Sequence, residues 1–336
     1  MTKHLLAAAA LIALSVPTLA QEEAAPAPSP NEIIAAAPDS AWIAIEPEDL
    51  VVMRLAPDRD GNERTVVMQL MPPPFSQGWI ANIRTLARAE YWDGSSINRV
   101  QDNYVVQWGQ PDPGTGGTEK PVPEGLNVVP ESEYVAKSQE ALRALMASYE
   151  RQSTSRRTED GKIQQTLDAS ALFMDPYAKM HAFSKGWPIA FGVEDQTSWP
   201  VHCYGMVGVG RNLSPDTGDG SQLYTVIGHA PRHLDRNIAL VGRIVSGIEH
   251  LSSLPRGTGG LGVYETAEQR TPIEWVRVAS DLPEAERPAF EYFDTATEDF
   301  ARYAEARANR RDPFFNVPAG GADVCNIPVP VRAVDG

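Results

Sequence analysis

Short runs of apolar residues broken by turn signals set the pattern of this chain beyond residue 40. Trp42 to Ile45, Leu50 to Leu55 and Thr65 to Leu70 read as strands, the last two separated by the turn cluster Asp58-Arg59-Asp60-Gly61-Asn62. Pro72-Pro73-Pro74 ends the third run. Trp79, Ile80, Ile83, Leu86 and Ala87 then recur at helical spacing, predicting a helix over Ser76 to Ala89 with Ser76 as N-cap. Residues 95–109, SSINRVQDNYVVQWG, return to strand character through Ile97, Val100, Tyr104, Val105, Val106 and Trp108. Arg99 and Gln107 interrupt that run, and an arginine is costly to bury unless it is paired or in use.

The second half is less regular. Residues 110–130 are rich in Pro and Gly and read as a loop. A helix is expected over Glu131 to Gln152, with Leu142, Leu145, Met146 and Tyr149 on one side, followed by a polar, exposed 153–168. Residues 170–192 are apolar without clean periodicity. Strands are expected at Tyr204 to Val209, Gln222 to Ile227, Ile238 to Ile244, Ile273 to Val278 and Ile327 to Val334. Helices are expected at Ile248 to Leu254 and Phe290 to Arg310. Many short strands with few helices predict an all-β barrel or sandwich with helical caps, since a parallel α/β fold needs regular alternation.

The N-terminus has a different composition. Lys3 and His4 precede an apolar run from Leu5 to Val16 that is too short to span a bilayer, and Thr18-Leu19-Ala20 is a small-residue cleavage site. Residues 1–20 therefore read as a signal peptide for export, cleaved after Ala20, with a periplasmic destination and no membrane span in the mature chain. Residues 21–40 read as a disordered linker. A net charge of −15 over 336 residues disfavours a nucleic-acid partner. Export permits Cys203 and Cys325 to pair, and two free buried thiols remain the alternative. Zinc binding by His229 and His233 is disfavoured by Pro231 between them, and no dinucleotide fingerprint or Gly-x-Ser-x-Gly elbow is present. No metal or cofactor is expected, and the oligomeric state is not readable.

Two blocks carry a family resemblance. Tyr91-Trp92-Asp93-Gly94-Ser95, Ile97-Asn98-Arg99-Val100 and Tyr104-Val105-Val106-Gln107-Trp108-Gly109 form the first. The second comprises Phe191-Gly192-Val193-Glu194-Asp195, Gly205-Met206-Val207-Gly208-Val209-Gly210, Gly218-Asp219-Gly220-Ser221-Gln222-Leu223-Tyr224, Leu234-Asp235 and Val241-Gly242-Arg243-Ile244-Val245-Ser246-Gly247. In order and spacing they resemble the cyclophilin family of peptidyl-prolyl cis-trans isomerases. The resemblance implies a mainly β fold: an eight-stranded antiparallel closed barrel capped by two helices. It would occupy residues 41–284, with an atypical insertion at 110–190 and a C-terminal helical extension and tail at 285–336.

The resemblance also implies a site and a partner, proline-containing polypeptides. Arg99 would donate to the prolyl nitrogen, and Gln107 would orient Arg99 or bind the substrate carbonyl. Tyr104, Val105, Tyr224 and Leu234 would line a proline pocket, with Ile238 adding apolar contact. Gln222 would contact the peptide backbone, and Val207 and Gly208 would offer an exposed strand to it. Asn98, Trp108, His233 and Ile238 depart from the family's usual His, Gly, Trp and His. Those departures keep a non-catalytic peptide-binding module or chaperone as the alternative. An Arg99 salt bridge to Asp93 or Asp102 is the structural alternative for the arginine.

Overall fold

In the computed structural model, residues 26–111, 120–157, 163–167, 175–192 and 194–334 are described. Residues 1–20, expected to be a signal peptide, and residues 21–25 of the expected linker lie outside them. In chain order the elements are α1 (Pro30–Ala36), β1 (Trp42–Ala44), β2 (Leu50–Leu55), β3 (Arg64–Leu70), α2 (Gln77–Arg88), β4 (Ser96–Val100), β5 (Val105–Gly109) and α3 (Gln139–Gln152). There follow β6 (Ser153–Arg157), β7 (Ile163–Leu167), β8 (Met180–Ser184), β9 (Trp187–Gly192), β10 (Thr197–Pro200), β11 (Met206–Val209), β12 (Leu223–Val226) and β13 (Leu240–Ser246). The chain ends with α4 (Glu249–Ser252), β14 (Thr271–Val278), β15 (Phe290–Phe293), α5 (Glu298–Ala308) and β16 (Val331–Ala333).

Eight strands close into one antiparallel barrel in the order β11-β12-β5-β4-β14-β2-β3-β13, with β13 returning to β11. Period-two alternation decides which side chains enter it. On β5, Val106 and Trp108 point inward, while Val105 and Gln107 lie on the outer face beside β12. Inside, Met53, Met68, Trp92, Trp108 and Leu223 leave an interior space of only ≈ 20 Å³, room for about one water, so the barrel is a packed core and offers no binding cavity. Helix α2 packs Trp79, Ile83 and Leu86 onto the barrel.

Ser76 occupies the N-cap position of α2 but does not cap it. It lies in the left-handed region (φ 58°), and its hydroxyl donates to the Leu240 carbonyl at 2.8 Å. Among the described side chains of α3, Ala141 and Leu145 are buried whereas Leu142 and Met146 are exposed, and that of Tyr149 lies outside them. That helix begins at Gln139, after a short 3₁₀ turn at Glu131–Tyr134. The expected helix over Phe290 to Arg310 is a strand followed by a helix, because Phe290–Phe293 alternates between β1 and β16 in a separate sheet.

Residues 30–36, expected in the linker, form a helix. Ser29 and Glu32 make a reciprocal capping box, Pro30 stands at its first turn, and α1 docks on α5. The N-terminal strand, the insertion and the C-terminal extension thus assemble beside the barrel: sheet β1-β15-β16, sheet β10-β9-β8 and helix α5. Phe183 from the insertion meets Phe300 of α5 with ring centroids 5.0 Å apart. Cys203, just before β11, is bonded to Cys325 of the extension across 122 residues.

Candidate active site

The outer face of β5 and β12 holds most of the expected site. Residues 105 and 107 alternate outward on one strand, and 222, 224 and 226 on the other. The register sets Gln107 opposite Tyr224 and Val105 opposite Val226. Val105, Tyr224 and Val226 form a small apolar cluster separate from the barrel core, with Tyr104, Leu234 and Ile238 packed against it. Tyr104 comes from the β4–β5 turn and stacks on His233 (ring centroids 6.3 Å, 14° between planes). Leu234 comes from the 3₁₀ turn Arg232–Leu234. Five of the residues expected to contact substrate thus gather in one apolar cluster, whose partly exposed members Tyr104, Leu234 and Ile238 would form the rim of a proline cup. Val226, two residues beyond Tyr224 on the same alternating strand, completes the cluster from beneath and is fully buried.

Arg99 stands at the edge of this cup, opposite Gln107 in the β4–β5 ladder beside an irregularity at Asn98. Its Nη1 donates to Gln107 Oε1 at 3.2 Å, its Nε to the Leu261 carbonyl at 2.7 Å, and its Nη2 to Gln101 Oε1. The guanidinium lies 5.8 Å from the centroid of the Tyr104 ring. Leu261 itself adopts a left-handed φ of 58°, a strained state for leucine, while presenting its carbonyl to the arginine. Asp93 is taken by Arg277 (2.8 Å) and Asp102 by Arg256 (2.9 Å), so neither of the salt bridges named as the structural alternative for Arg99 forms. Among the described residues no carboxylate pairs with Arg99. Burial lowers its pKa below the ordinary arginine value, with Tyr104 acting in the opposite direction.

A guanidinium has five N–H donors. Among the described residues three are engaged, and two remain, one on each Nη. The group is oriented by three neutral acceptors and still has donors to spare beside an apolar cup. That arrangement suits a ligand atom that accepts weakly and needs a fixed, charged donor.

Gln107 and Gln222 border a neighbouring cleft of ≈ 540 Å³. Gln222 donates from Nε2 to the Gln110 carbonyl at 2.7 Å. The far wall is residues 127–130 of the insertion, with Val128 98 % exposed at its lip. Asn82 fixes that wall, its Nδ2 donating to the Asn127 carbonyl at 2.9 Å and its Oδ1 accepting from the Asn127 amide at 2.7 Å. The insertion therefore reaches the site.

Val207 and Gly208 do not provide the exposed strand expected of them. Strand β11 lies between β12 and β13 in a closed barrel, so its backbone groups are used on both sides. Val207 is fully buried in the core. Gly208 matters differently: a Cβ there would come within 2.3 Å of Tyr224 Cζ and Oη, so the ring lies directly on the glycine. The accessible part of this chain segment begins one turn later, at Gly210 and Arg211 on the cleft.

Behind the cup lies a buried polar chain. The Tyr224 hydroxyl is 3.0 Å from His202 Nε2, and His202 Nδ1 is 2.9 Å from Asp235 Oδ1, which also accepts from the His202 amide at 3.0 Å. Arg232 Nε donates to Asp235 Oδ2 at 2.7 Å, and Arg232 Nη1 pairs with Asp175. Burial raises the Asp235 pKa, but the bonds and charges of His202 and Arg232 outweigh it and hold the carboxyl below its ordinary value. Complete burial pushes the Tyr224 hydroxyl well above its usual range, so it stays protonated.

A profile of the family described as cyclophilin type peptidyl-prolyl cis-trans isomerase/CLD matches residues 79–280. Among solved structures, this chain is similar to cyclophilin AquaCyp293 from Hirschia baltica, at 21% identity and TM-score 0.58, over 87% of this chain and 93% of that one. It also matches a cyclophilin-type isomerase from Cryptosporidium parvum solved in the presence of the dipeptide Ala-Pro, at 12% identity and TM-score 0.35, over 68% of this chain and 98% of that one. No curated protein matches.

Proposed function

This chain belongs to the cyclophilin-type peptidyl-prolyl cis-trans isomerase family, and we propose that it accelerates isomerisation of X-Pro bonds in exported polypeptides, with Arg99 as the donor to the prolyl nitrogen. Resonance in the amide creates a barrier of about 18–20 kcal/mol, which makes the uncatalysed step take tens to hundreds of seconds. As the bond twists, that resonance is lost and the nitrogen regains a lone pair. A donor aimed at the lone pair binds the twisted form better than either planar one, which is the condition for catalysis. No nucleophile is required.

The observation that carries the reading is Arg99: half-buried, without a carboxylate partner among the described residues, with two N–H groups free beside the apolar cup. The proline ring is assigned to the cup of Tyr104, Val105, Tyr224, Leu234 and Ile238, with Val226 buried beneath it. Gln107 is assigned the orientation of Arg99, and Gln222 the substrate backbone. Partial desolvation strengthens a hydrogen bond to a poor acceptor such as an amide nitrogen. The periplasmic setting is supported by the basic start, apolar run and small-residue site of residues 3–20, and by a disulfide, which persists in oxidising compartments.

The test is an isomerisation assay on a short Ala-Pro peptide with the purified chain lacking residues 1–20. Acceleration well above the spontaneous rate is expected. Binding of the peptide without acceleration would replace this reading by the non-catalytic peptide-binding module. Fractionation of the producing cell tests the location, and retention in the cytoplasm with residues 1–20 attached would overturn it.

A further inference from the structure

An apolar cup for a proline ring has no need of a tyrosine hydroxyl, yet Tyr224 carries one into full burial, where a hydroxyl without a partner is costly. The hydroxyl is met by His202 Nε2 at 3.0 Å, and the two rings lie nearly parallel, 12° apart. Asp235 holds His202 twice, through the backbone amide and through Nδ1. As a carboxylate, Asp235 only accepts, so Nδ1 carries a proton, and in the neutral imidazole Nε2 is left to accept from Tyr224. Asp235 also follows Leu234 directly in the chain, so one carboxylate ties two sides of the cup together. Gly208 supplies the space, since a Cβ there would collide with the Tyr224 ring tip.

We propose that His202 is a positioning residue for this site: anchored by Asp235, it fixes the Tyr224 ring as a rigid wall of the proline cup and thereby sets the affinity for the X-Pro segment. This rests on the site assignment above. Rigid walls help because each rotamer frozen before binding need not be frozen during it. His202 touches no substrate and acts only through Tyr224. Residues beside it on the chain reinforce the placement, because Cys203 is held in the disulfide to the C-terminal extension.

The experiment is a double-mutant cycle read in two ways, as the dissociation constant of an Ala-Pro peptide from NMR titration and as kcat and KM for its isomerisation. The variants are His202→Leu, Tyr224→Phe, the double variant, and His202→Gln, whose side-chain oxygen can still accept from Tyr224. In the wild-type background, His202→Leu is expected to weaken binding about tenfold, with KM rising and kcat nearly unchanged. In the Tyr224→Phe background the same change should alter binding less than about twofold, because the bond it breaks is already gone. His202→Gln should recover most of the affinity. Equal losses in both backgrounds would overturn the proposal, since they would show His202 acting on stability alone. If His202→Leu does not fold, Tyr224→Phe against the wild type carries the test: loss of the hydroxyl that His202 holds should by itself weaken binding about tenfold, and unchanged affinity in a folded Tyr224→Phe protein also overturns the proposal. A wild type that binds with this coupling but does not accelerate isomerisation would sink the catalytic reading and leave the role of His202 standing. Acceleration without coupling would do the reverse, and absence of both binding and acceleration would remove both.

Discussion

Replacing Arg99 by alanine removes the donor on which the proposed reaction depends. The three acceptors it serves, Gln101 Oε1, Gln107 Oε1 and the Leu261 carbonyl, lie at the protein surface or half-buried, where water can take its place. The cost to folding should therefore be small, about 1 kcal/mol, the net worth of an ordinary hydrogen bond. The cost to catalysis should be larger. A hydrogen bond from a charged donor is worth roughly 1.5–3 kcal/mol, which at 1.36 kcal/mol per decade is about a 10- to 150-fold loss in kcat/KM. Because the bond to the prolyl nitrogen exists only in the twisted state, the loss should fall mainly on kcat. Arg99→Lys should lose most of the activity as well, since an ammonium on a flexible stem has three donors and no planar fork. NMR exchange on an Ala-Pro peptide gives the rates, and urea unfolding of the same preparations verifies the fold. An Arg99→Ala protein that is folded and within twofold of wild type would remove Arg99 from the mechanism.

Gln107→Ala should reduce kcat/KM about tenfold by freeing Arg99 Nη1, with little change in urea midpoint. Gly208→Ala should push the Tyr224 ring off its seat and cost about 1–3 kcal/mol of stability along with peptide affinity, and unchanged values of both would contradict the close approach of ring and glycine. Changing Cys203 and Cys325 to serine frees a loop of 122 residues, for which chain entropy predicts a loss of about 5 kcal/mol and experience roughly 2–5 kcal/mol, readable as a lower urea midpoint. The carboxyl of Asp235 titrates below its ordinary 3.8 in the folded protein. Its contribution to stability is therefore complete above that value and lost as pH falls through the lower folded pKa, so Asp235→Asn should be less stable at neutral pH and show a shallower acid-unfolding limb.

Much of the site was legible in the chain because it is carried by two strands with strict alternation. Once 95–109 and 222–226 are strands, residues 105, 107, 222, 224 and 226 must share a side, and the ordered motifs around them say which. Alternation alone could not reveal the barrel order, which set β11 between two partners and so closed Val207 and Gly208 to a ligand. It could not reveal that Asp93 and Asp102, the alternative carboxylate partners of Arg99, were engaged elsewhere, a fact decided by Arg277 and Arg256, each more than 150 residues away.

The local pattern also misread segments whose neighbours are distant. Phe290 to Phe293 reads as the start of the helix that follows, but its aromatic residues suit a strand, and β1, some 250 residues earlier, offers it an edge. Residues 30–36 have their own capping box, yet a seven-residue helix is marginal in water and depends on α5 for its apolar face. By itself the sequence determined most of the barrel strands, the faces their alternating side chains take and which residues are candidates for the site, because period and side-chain type are local properties. Only the tertiary structure decided which faces are covered, which charges are paired, that residues 127–130 wall the cleft, and that His202 stands behind Tyr224. Those depend on contacts between residues far apart in the chain, which no local period encodes.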